Sequence, residues 1–273
     1  MQQLLLMLVM VYWSAQAMFE CRLACDVDVP QILSLMNDEA VRETEKLVVL
    51  PKKFRKSFVR EAVDRDRLFV ATKNNQIVAY KKLFLLTDEI EKHNILTNEL
   101  RCEGKESQCV FSGLVNQDGL VVRSEAADRQ PKFYPYDACI YDELDFTKNA
   151  FRGMGVNRTL TEMALNTITP QVHDMLSNRR ASSVSLLYGL TNSNAGEQPG
   201  KLPDRTMSIA KSFQKFVHQL DGPSEPIILE YYRYKAFVPT FDPDDLDCIS
   251  LPDEKAIPGL GCVLTYRPRE RYV

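Results

Sequence analysis

The sequence has little histidine, a small net charge and no block of like charges. Its 273 residues carry 34 basic and 37 acidic side chains, for a formal net charge of −3. A nucleic-acid-binding domain usually shows a basic excess on one face, and a charged disordered tail needs a run of like charges. We therefore expect no nucleic acid among the partners and no disordered charged tail.

Paired cysteine motifs are missing as well. No C-x-x-C pair occurs, and the three histidines have no ligand-like spacing with the cysteines. Dispersed thiols in odd number are typical of a reducing compartment. We therefore expect no metal and a cytoplasmic protein with free thiols at Cys21, Cys25, Cys102, Cys109, Cys139, Cys248 and Cys262.

The N-terminal apolar run is too short to span a bilayer, which takes about 20 residues. Residues 4–13 read LLLMLVMVYW, and Ala15-Gln16-Ala17 has the form of a signal-peptidase site. The leading MQQ has no basic residue, which argues against a signal peptide. Two interpretations stay open for residues 1–17, a leader of an exported protein or a spurious extension ahead of Met18. We expect no membrane partner and one domain over 18–273.

Apolar periodicity predicts the element order β-α-α-β-β, an insertion at about 87–135, and then β-α-β-α-β-β. Strands that alternate with helices favour an α/β fold, with a mixed central β-sheet flanked by helices. The insertion has an apolar patch that suits a hairpin of its own. The predicted segments are strand 19–25, helices 28–40 and 52–66, a hairpin around 73–76, strand 137–147, a helix ended by Pro170, strand 182–190, helix 206–220 and strands 226–237 and 259–270.

Two glycines join strand 137–147 to the next helix, in the stretch AFRGMGVNRTL at 150–160. The first N–H groups of a helix lack partners and carry about half a positive charge, so such a turn suits a phosphate. A Walker loop is absent, and Arg158 replaces the third glycine of a Rossmann fingerprint. The remaining ligand is the pyrophosphate of coenzyme A. The alternative is a plain tight connection.

Residues 152–157 read RGMGVN, which resembles the R-x-x-G-x-[G/A] signature of the GNAT superfamily of acyl-CoA N-acyltransferases. The stretch stands where that family places it, after the fourth strand and at the start of the third helix. The resemblance covers about 19–86 and 137–267, and it implies a GNAT-like fold with an insertion. Asn157 departs from the pattern, which has Gly or Ala there.

The resemblance implies acetyl-CoA, or a related acyl-CoA, as co-substrate and an amine as acceptor. Backbone amides of 153–158 would hold the pyrophosphate, with added charge from Arg152 and Arg158. The main chain of 146–148 would pair with the pantetheine arm, where this strand separates from strand 183–190. The implied cofactor-binding residues are Phe146, Thr147, Lys148, Arg152, Gly153, Met154, Gly155, Val156, Asn157 and Arg158.

Acyl transfer needs a neutral amine, so a base is required. Strict alternation places Glu143 and Asp145 on one face of the strand and Asp142 on the other. Alternation also places Ala138, Ile140 and Leu144 on a common buried face. Because the GNAT family often keeps a glutamate in this strand, the resemblance implies Glu143 as the general base. The alternative is that all three carboxylates are structural or exposed to solvent.

The departing thiolate needs a proton. In the family, a tyrosine on the fourth helix usually supplies it, but alignment on Lys215 places Phe213 at that position. Phenylalanine has no proton to donate, so Tyr188 is the candidate acid, with Ser212 or water as alternatives. Two further alternatives are that the thiolate leaves unaided and that catalysis is impaired. Phe213 itself suits a core position.

Two other stretches leave their roles open. EYYRYKAF at 230–237 suits either an acceptor pocket or a solvated strand face. Asn157-Arg158-Thr159 forms a glycosylation sequon, and a glycan there would block the predicted phosphate site.

The resemblance thus implies an N-acetyltransferase. A non-catalytic acyl-CoA-binding or interaction module is the alternative, because the usual tyrosine is missing and Asn157 departs from the signature. A third hypothesis, a secreted binding protein, depends only on the leader.

Overall fold

Strands and helices follow one another in the predicted order. The computed structural model describes residues 19–38, 52–90, 92, 101–102, 105–106, 109–115, 121–125, 138–190, 204–221, 227–236, 240–242, 245–249 and 257–266. The helices are α1 (Val29–Asn37), α2 (Lys52–Asp64), α3 (Val156–Ser177) and α4 (Asp204–Asp221). The strands are β1 (Glu20–Leu23), β2 (Leu68–Lys73), β3 (Gln76–Leu86), β4 (Arg101–Cys102), β5 (Lys105–Glu106), β6 (Cys109–Val115), β7 (Val121–Glu125), β8 (Ala138–Thr147), β9 (Val184–Leu190), β10 (Ile227–Ala236), β11 (Thr240–Asp242), β12 (Asp245–Ile249) and β13 (Ile257–Tyr266).

The central sheet is mixed, as predicted. In the described part of the chain it has nine strands in the order β1-β2-β3-β8-β9-β13-β10-β6-β7. The β8–β9 pair is parallel, and the other neighbouring strands are antiparallel. A parallel pair needs a long crossover, and α3 provides it between β8 and β9. The start of α3 therefore lies just beyond the end of β8.

The insertion contributes to the main sheet. Its strand β6 pairs with β10, and β7 pairs with β6. The predicted hairpin is present, and it extends the sheet edge.

Helices cover both faces of the sheet. On one face, α3 and α4 pack over a large core. On the other face, α1 and α2 pack over a smaller one. The larger core includes Phe69, Ile140, Leu160, Ile168, Val172, Leu186, Phe213, Phe216 and Leu264. The smaller core includes Ile32, Val59, Leu68, Val70, Ile77, Tyr80 and Phe146. Ligands that approach the middle of the sheet thus meet a helix layer on either side.

The turn of the β2–β3 hairpin has the predicted asparagine geometry. Asn74 and Asn75 have φ values of 52° and 61°. Two consecutive positive φ values are the signature of a type I′ turn, and asparagine tolerates this conformation better than most residues.

Helix α3 does not end at Pro170, so that prediction was wrong. The helix continues to Ser177. Proline removes the hydrogen bond to the carbonyl of residue 166, but Asn166 and Pro170 are both exposed, so water can reach that carbonyl. Beyond the proline, buried Val172 and the partly buried Met175 and Leu176 pack on the larger core. Their burial maintains the second half of the helix.

Some predictions fall outside what the structure describes. Residues 1–17 and the side chains of Cys102, Cys109, Cys248 and Cys262 lie beyond the described part. Cys21, Cys25 and Cys139 form no disulfide. Within the described residues, no helix has the length and apolar content needed to cross a membrane.

A buried carboxylate joins β1 to the start of α1. The carboxylate of Asp28 accepts hydrogen bonds from both terminal nitrogens of Arg22, at 2.6 and 2.8 Å. It also accepts one from the backbone N–H of Cys25, at 2.9 Å. The bonds from Arg22, more than the other contacts, hold the pKa of Asp28 at about 2, against an ordinary value of 3.8.

We expect Asp28→Asn to lower the free energy of unfolding at neutral pH by about 1–2 kcal/mol. This value is smaller than the full pKa shift would give, because Arg22 is partly exposed and solvent screens the pair. Because the folded-state pKa is depressed, this contribution is present above the unfolded pKa and is lost as pH falls from about 4 towards 2. Urea unfolding across that pH range measures the effect. Asp26→Asn, in the same short turn but exposed, is the control. Equal acid sensitivity of wild type and Asp28→Asn would contradict the prediction.

Candidate functional site

Strands β8 and β9 separate near the middle of the sheet. Their parallel pairing runs from Ala138 opposite Val184 to Asp142 opposite Tyr188. Beyond this rung β8 continues to Thr147 and stays paired with β3, while β9 continues along β13. Within these described strands, the pairing between β8 and β9 stops at that rung. We call this end of the pairing, with the parts of β8 and β9 beyond it, the fork; the family resemblance predicts that the two strands separate here.

The glycine turn follows the free end of the fork. Gly153 and Gly155 have φ values of 76° and 78°, a region that residues with a Cβ rarely occupy. A Cβ at either position would meet no atom within 4 Å. The backbone conformation, and not close packing within the chain, therefore requires glycine here. The space beside the turn is open to a ligand.

The first turn of α3 is uncapped. No side chain caps the helix, and its first internal bond runs from the N–H of Thr159 to the carbonyl of Gly155, at 3.0 Å. The N–H groups of Val156, Asn157 and Arg158 have no acceptor among the described residues. Unpaired N–H donors at the positive end of a helix dipole favour a negatively charged group.

The predicted basic side chains have partners within the protein. The Nε of Arg152 donates to the carbonyl of Thr147 at 3.2 Å, which ties the turn to the end of β8. The Nε of Arg158 donates to Glu162 at 3.0 Å, and Lys215 binds the same carboxyl group at 2.9 Å. Met154 is 54% exposed. The side chains of Arg152 and Arg158 are thus engaged within the chain, whereas the N–H groups of the first turn of α3 have no acceptor among the described residues.

Within the segment 146–148, which was predicted to pair with an incoming arm, the backbone groups of Phe146 and Lys148 face β3. The N–H of Lys148 donates to Val78 of β3 at 2.9 Å. Because backbone groups alternate between the two edges of a strand, Phe146 also faces β3. The backbone groups of Asp145 and Thr147 face the fork instead, and the bond from Arg152 to Thr147 agrees with that direction.

Strand β8 contains a bulge at Glu143. Leu83 lies opposite Asp142 and Lys82 lies opposite Leu144, so Glu143 is an extra residue. A bulge reverses the alternation of side chains beyond it. Ile140 consequently joins the α3 side and Leu144 the α2 side, and their predicted common face was wrong.

The bulge also corrects the predicted placement of the three carboxylates. Asp142 and Asp145 both lie near the Nζ of Lys81, at 2.7 and 3.7 Å. Glu143 lies on the opposite face, where one of its carboxyl oxygens is 2.7 Å from the Nζ of Lys82. Glu143 and Asp145 therefore do not share a face.

The α2 side of the bulge holds Glu143 in a mixed-charge cluster. Lys82 bridges Glu143 to Glu61 of α2, 3.5 Å away, and its Nζ lies 4.0 Å from the ring centre of Phe58. Burial raises the pKa of Glu143, while the charge and hydrogen bond of Lys82 act in the opposite direction. The side chain is still 26% exposed. A partly accessible carboxylate with a raised pKa has the properties of a general base.

The α3 side of the bulge holds a second cluster. Lys81 and Asp142 have side chains 0% and 1% exposed. The side-chain amide nitrogen of Asn157 donates to Asp145 at 2.8 Å, which joins this cluster to the first turn of α3. Sequence reasoning missed Lys81 and Lys82. Their signal was two lysines inside an otherwise apolar strand, opposite a strand with three carboxylates.

The candidate acids occupy different environments. Tyr188 is fully buried and stands opposite Asp142 at the last rung before the fork. The hydroxyl of Ser212 donates to the carbonyl of Ser208 within α4, at 3.1 Å. Phe213 is a core residue whose ring stacks with Phe216. The side chains of residues 229–236 in β10, which include its tyrosines, lie outside the description.

Comparisons with known proteins show that this chain is similar in structure to several solved proteins. No protein-family model and no curated protein matches the chain. The polyamine N-acetyltransferase of Drosophila melanogaster, which forms N-acetylagmatine, is 12% identical, with a TM-score of 0.41 over 90% of this chain and 98% of its own. The ribosomal-protein-alanine N-acetyltransferase of Brucella melitensis is 14% identical, with a TM-score of 0.41 over 89% and 98%. A GNAT-family acetyltransferase of Streptococcus pneumoniae is 10% identical, with a TM-score of 0.37 over 90% and 97%.

These similar structures are GNAT-family acetyltransferases, the class that the sequence resemblance predicts. With identities and TM-scores this low, the likeness carries no argument for an activity or a substrate.

Proposed function

We propose that this chain is an N-acyltransferase that uses acetyl-CoA and an amine acceptor. The observation that carries the proposal is the fork between β8 and β9 beside the uncapped start of α3. A long thioester with a diphosphate at one end needs both features, an anion site and a slot that leads from it into the sheet. Glu143 is the bulge residue that directly follows the last rung between β8 and β9.

The backbone of the turn would hold the diphosphate. The N–H groups of Val156, Asn157 and Arg158 would donate to its oxygens, with Gly153 and Gly155 allowing the backbone to approach. The pantetheine arm would run along the fork-facing edge of β8, beside the backbone of Asp145 and Thr147. The thioester would then reach the bulge, between Glu143 and the last paired rung.

The acyl transfer would proceed by direct attack. The amine nitrogen forms a bond to the thioester carbon, the carbon–sulfur bond breaks, and the thiolate leaves with its electron pair. Glu143 would take the proton that the amine loses, and its raised pKa makes it a stronger base than an ordinary exposed glutamate. The thiolate would take a proton from Tyr188, which lies at the apex of the fork, or from water.

The environment of α4 favours a second candidate function, a non-catalytic acyl-CoA-binding module. Phe213 is fully buried in the core, and Ser212 bonds to its own helix. Neither residue presents a proton to the fork, so α4 lacks the usual acid. The module would bind acetyl-CoA at the same turn without transferring the acyl group.

One pair of measurements separates these functions. Isothermal titration with coenzyme A tests binding, and release of free thiol from acetyl-CoA across a panel of amines tests transfer. Binding with amine-dependent thiol release supports the transferase, and binding without release favours the module. No binding at millimolar coenzyme A would overturn both.

Gly155→Val tests the turn. A β-branched residue at a φ of 78° carries a conformational cost of about 1–3 kcal/mol, and it places a side chain in the open space beside the phosphate donors. We expect the Kd for coenzyme A to rise by at least about tenfold. Titration of the folded variant measures it, with exposed Thr167→Val in α3 as a matched control. An unchanged Kd would contradict a backbone role for Gly155.

A further inference from the structure

The carboxyl group of Glu143 has one ion-pair partner among the described residues. Its Oε2 lies 2.7 Å from the Nζ of Lys82, and no other hydrogen bond or ion pair in the described part of the chain involves this side chain. The side chain remains 26% exposed. The contact with Lys82 therefore holds one carboxylate oxygen and leaves the group accessible to a bound amine.

Lys82 is itself held in place. Its side chain is only 5% exposed, and its Nζ lies 4.0 Å from the ring centre of Phe58 and 5.3 Å from that of Phe84. A second carboxylate, that of Glu61, is 3.5 Å from the same nitrogen. A lysine on a protein surface samples many conformations, whereas two rings and two carboxylates fix this ammonium group.

The second carboxylate has cations of its own. Glu61 lies 3.3 Å from the Nε of Arg65 and 3.5 Å from a terminal nitrogen of Arg67. Glu61 thus keeps two ion pairs when Lys82 is removed. Glu143 would keep none among the described residues, so the loss of Lys82 acts mainly on Glu143.

The other charges near the bulge are directed elsewhere. Asp142 and Asp145 lie on the opposite face of β8, beside Lys81. Arg55 of α2 donates to the C-terminal end of α1, and α1 has no ionisable side chain. In the described part of the chain, the charges that act most strongly on Glu143 are those of Lys82, Glu61 and Arg67.

We propose that Lys82 is a positioning residue for the general base, which holds the carboxylate of Glu143 in place and charged at the bulge. The proposal rests on the proposed function, in which Glu143 takes the proton of the amine. Burial alone favours the neutral form of a carboxyl group, and that form cannot take a proton. A fixed ammonium group 2.7 Å away opposes this effect.

The test follows the carboxyl group of Glu143 directly. In the full chain labelled with ¹³C-glutamate, an NMR titration gives its pKa, and the signal is assigned by its absence in Glu143→Gln. Lys82→Met has a similar length and no charge, so we expect the pKa of Glu143 to rise by about 1–3 units. The pH at which kcat rises should increase by the same amount, with the Kd for coenzyme A unchanged.

Three further variants separate charge from packing. Lys82→Arg keeps the cation and should restore most of the wild-type pKa and pH–rate profile. Glu61→Gln removes a nearby like charge, so it should shift the pKa of Glu143 in the opposite direction, downwards. Lys211→Met, an exposed lysine of α4, is the control and should change neither quantity. Thermal melting confirms that each variant is folded.

Each outcome decides the proposal. Shifts of opposite sign in Lys82→Met and Glu61→Gln, matched by the pH–rate profiles, support it. An unchanged pKa of Glu143 in folded Lys82→Met would overturn it. A raised pKa with an unchanged pH–rate profile would also overturn it, because Lys82 would then act on a carboxylate outside the chemistry. A wild type that binds no coenzyme A or transfers no acyl group would overturn the proposed function itself, whereas the titration would still report on the ion pair.

Discussion

Replacement of Glu143 by glutamine should lower kcat for amine acetylation by about 10²–10³-fold, with the affinity for coenzyme A unchanged. Glutamine keeps the size of the side chain and its place in the bulge but cannot take the proton of the amine. Because Glu143 must be ionised to act, the rate of the wild type should rise with pH through the raised pKa of this carboxyl. In the variant, this dependence of the rate on pH should be absent.

Steady-state kinetics across a pH series measures this effect. Glu20→Gln, an exposed glutamate at the start of β1, is the matched control and should retain the full rate. If Glu143→Gln kept the kcat and the pH dependence of the wild type, Glu143 would have no role in the chemistry. They would leave the binding site for coenzyme A intact, because that site depends on other groups.

Asp142→Ala should be among the most destabilising substitutions in the described part of the chain, lowering the free energy of unfolding by about 3–5 kcal/mol. It leaves the ammonium group of Lys81 fully buried without its 2.7 Å partner. Asp145, 3.7 Å away and held by Asn157, compensates in part. The effect arises from the unpaired buried charge, so removal of both charges should be far less harmful.

The double variant Lys81→Met/Asp142→Leu separates charge from packing. We expect it to recover most of the stability lost in Asp142→Ala, because an apolar pair of similar volume carries no uncompensated charge. Urea unfolding of both variants gives the comparison. A single variant as stable as wild type, or a double variant no better than the single, would contradict the account of this cluster.

Much of the fold could be predicted because local pattern determines it. Apolar periodicity in α2 and α4, and the asparagines between β2 and β3, carry their own structural information over a few residues. The glycine turn likewise predicted the start of α3, because glycine readily adopts the positive φ found at Gly153 and Gly155. The mixed sheet follows from the alternation of these elements.

The rest of the site depends on contacts between distant residues. The bulge at Glu143 depends on the register of β8 against β3, which a local sequence pattern does not show. Strict alternation therefore placed Glu143 and Asp145 on the same face, whereas they lie on opposite faces. The partners of Lys81 and Lys82 are about sixty residues away along the chain. The course of α3 through Pro170 depends on Val172 and its neighbours meeting the core. None of these can be read from a local window.

The central claim is that the start of α3 and the fork of β8 and β9 together hold an acyl-CoA. A crystal structure of the chain with coenzyme A tests it most directly. The account predicts diphosphate oxygens within hydrogen-bond distance of the N–H groups of Val156, Asn157 and Arg158, and the sulfur in the fork near Glu143. A diphosphate bound elsewhere, or β8 and β9 paired beyond Asp142 and Tyr188 with no room between them, would contradict it.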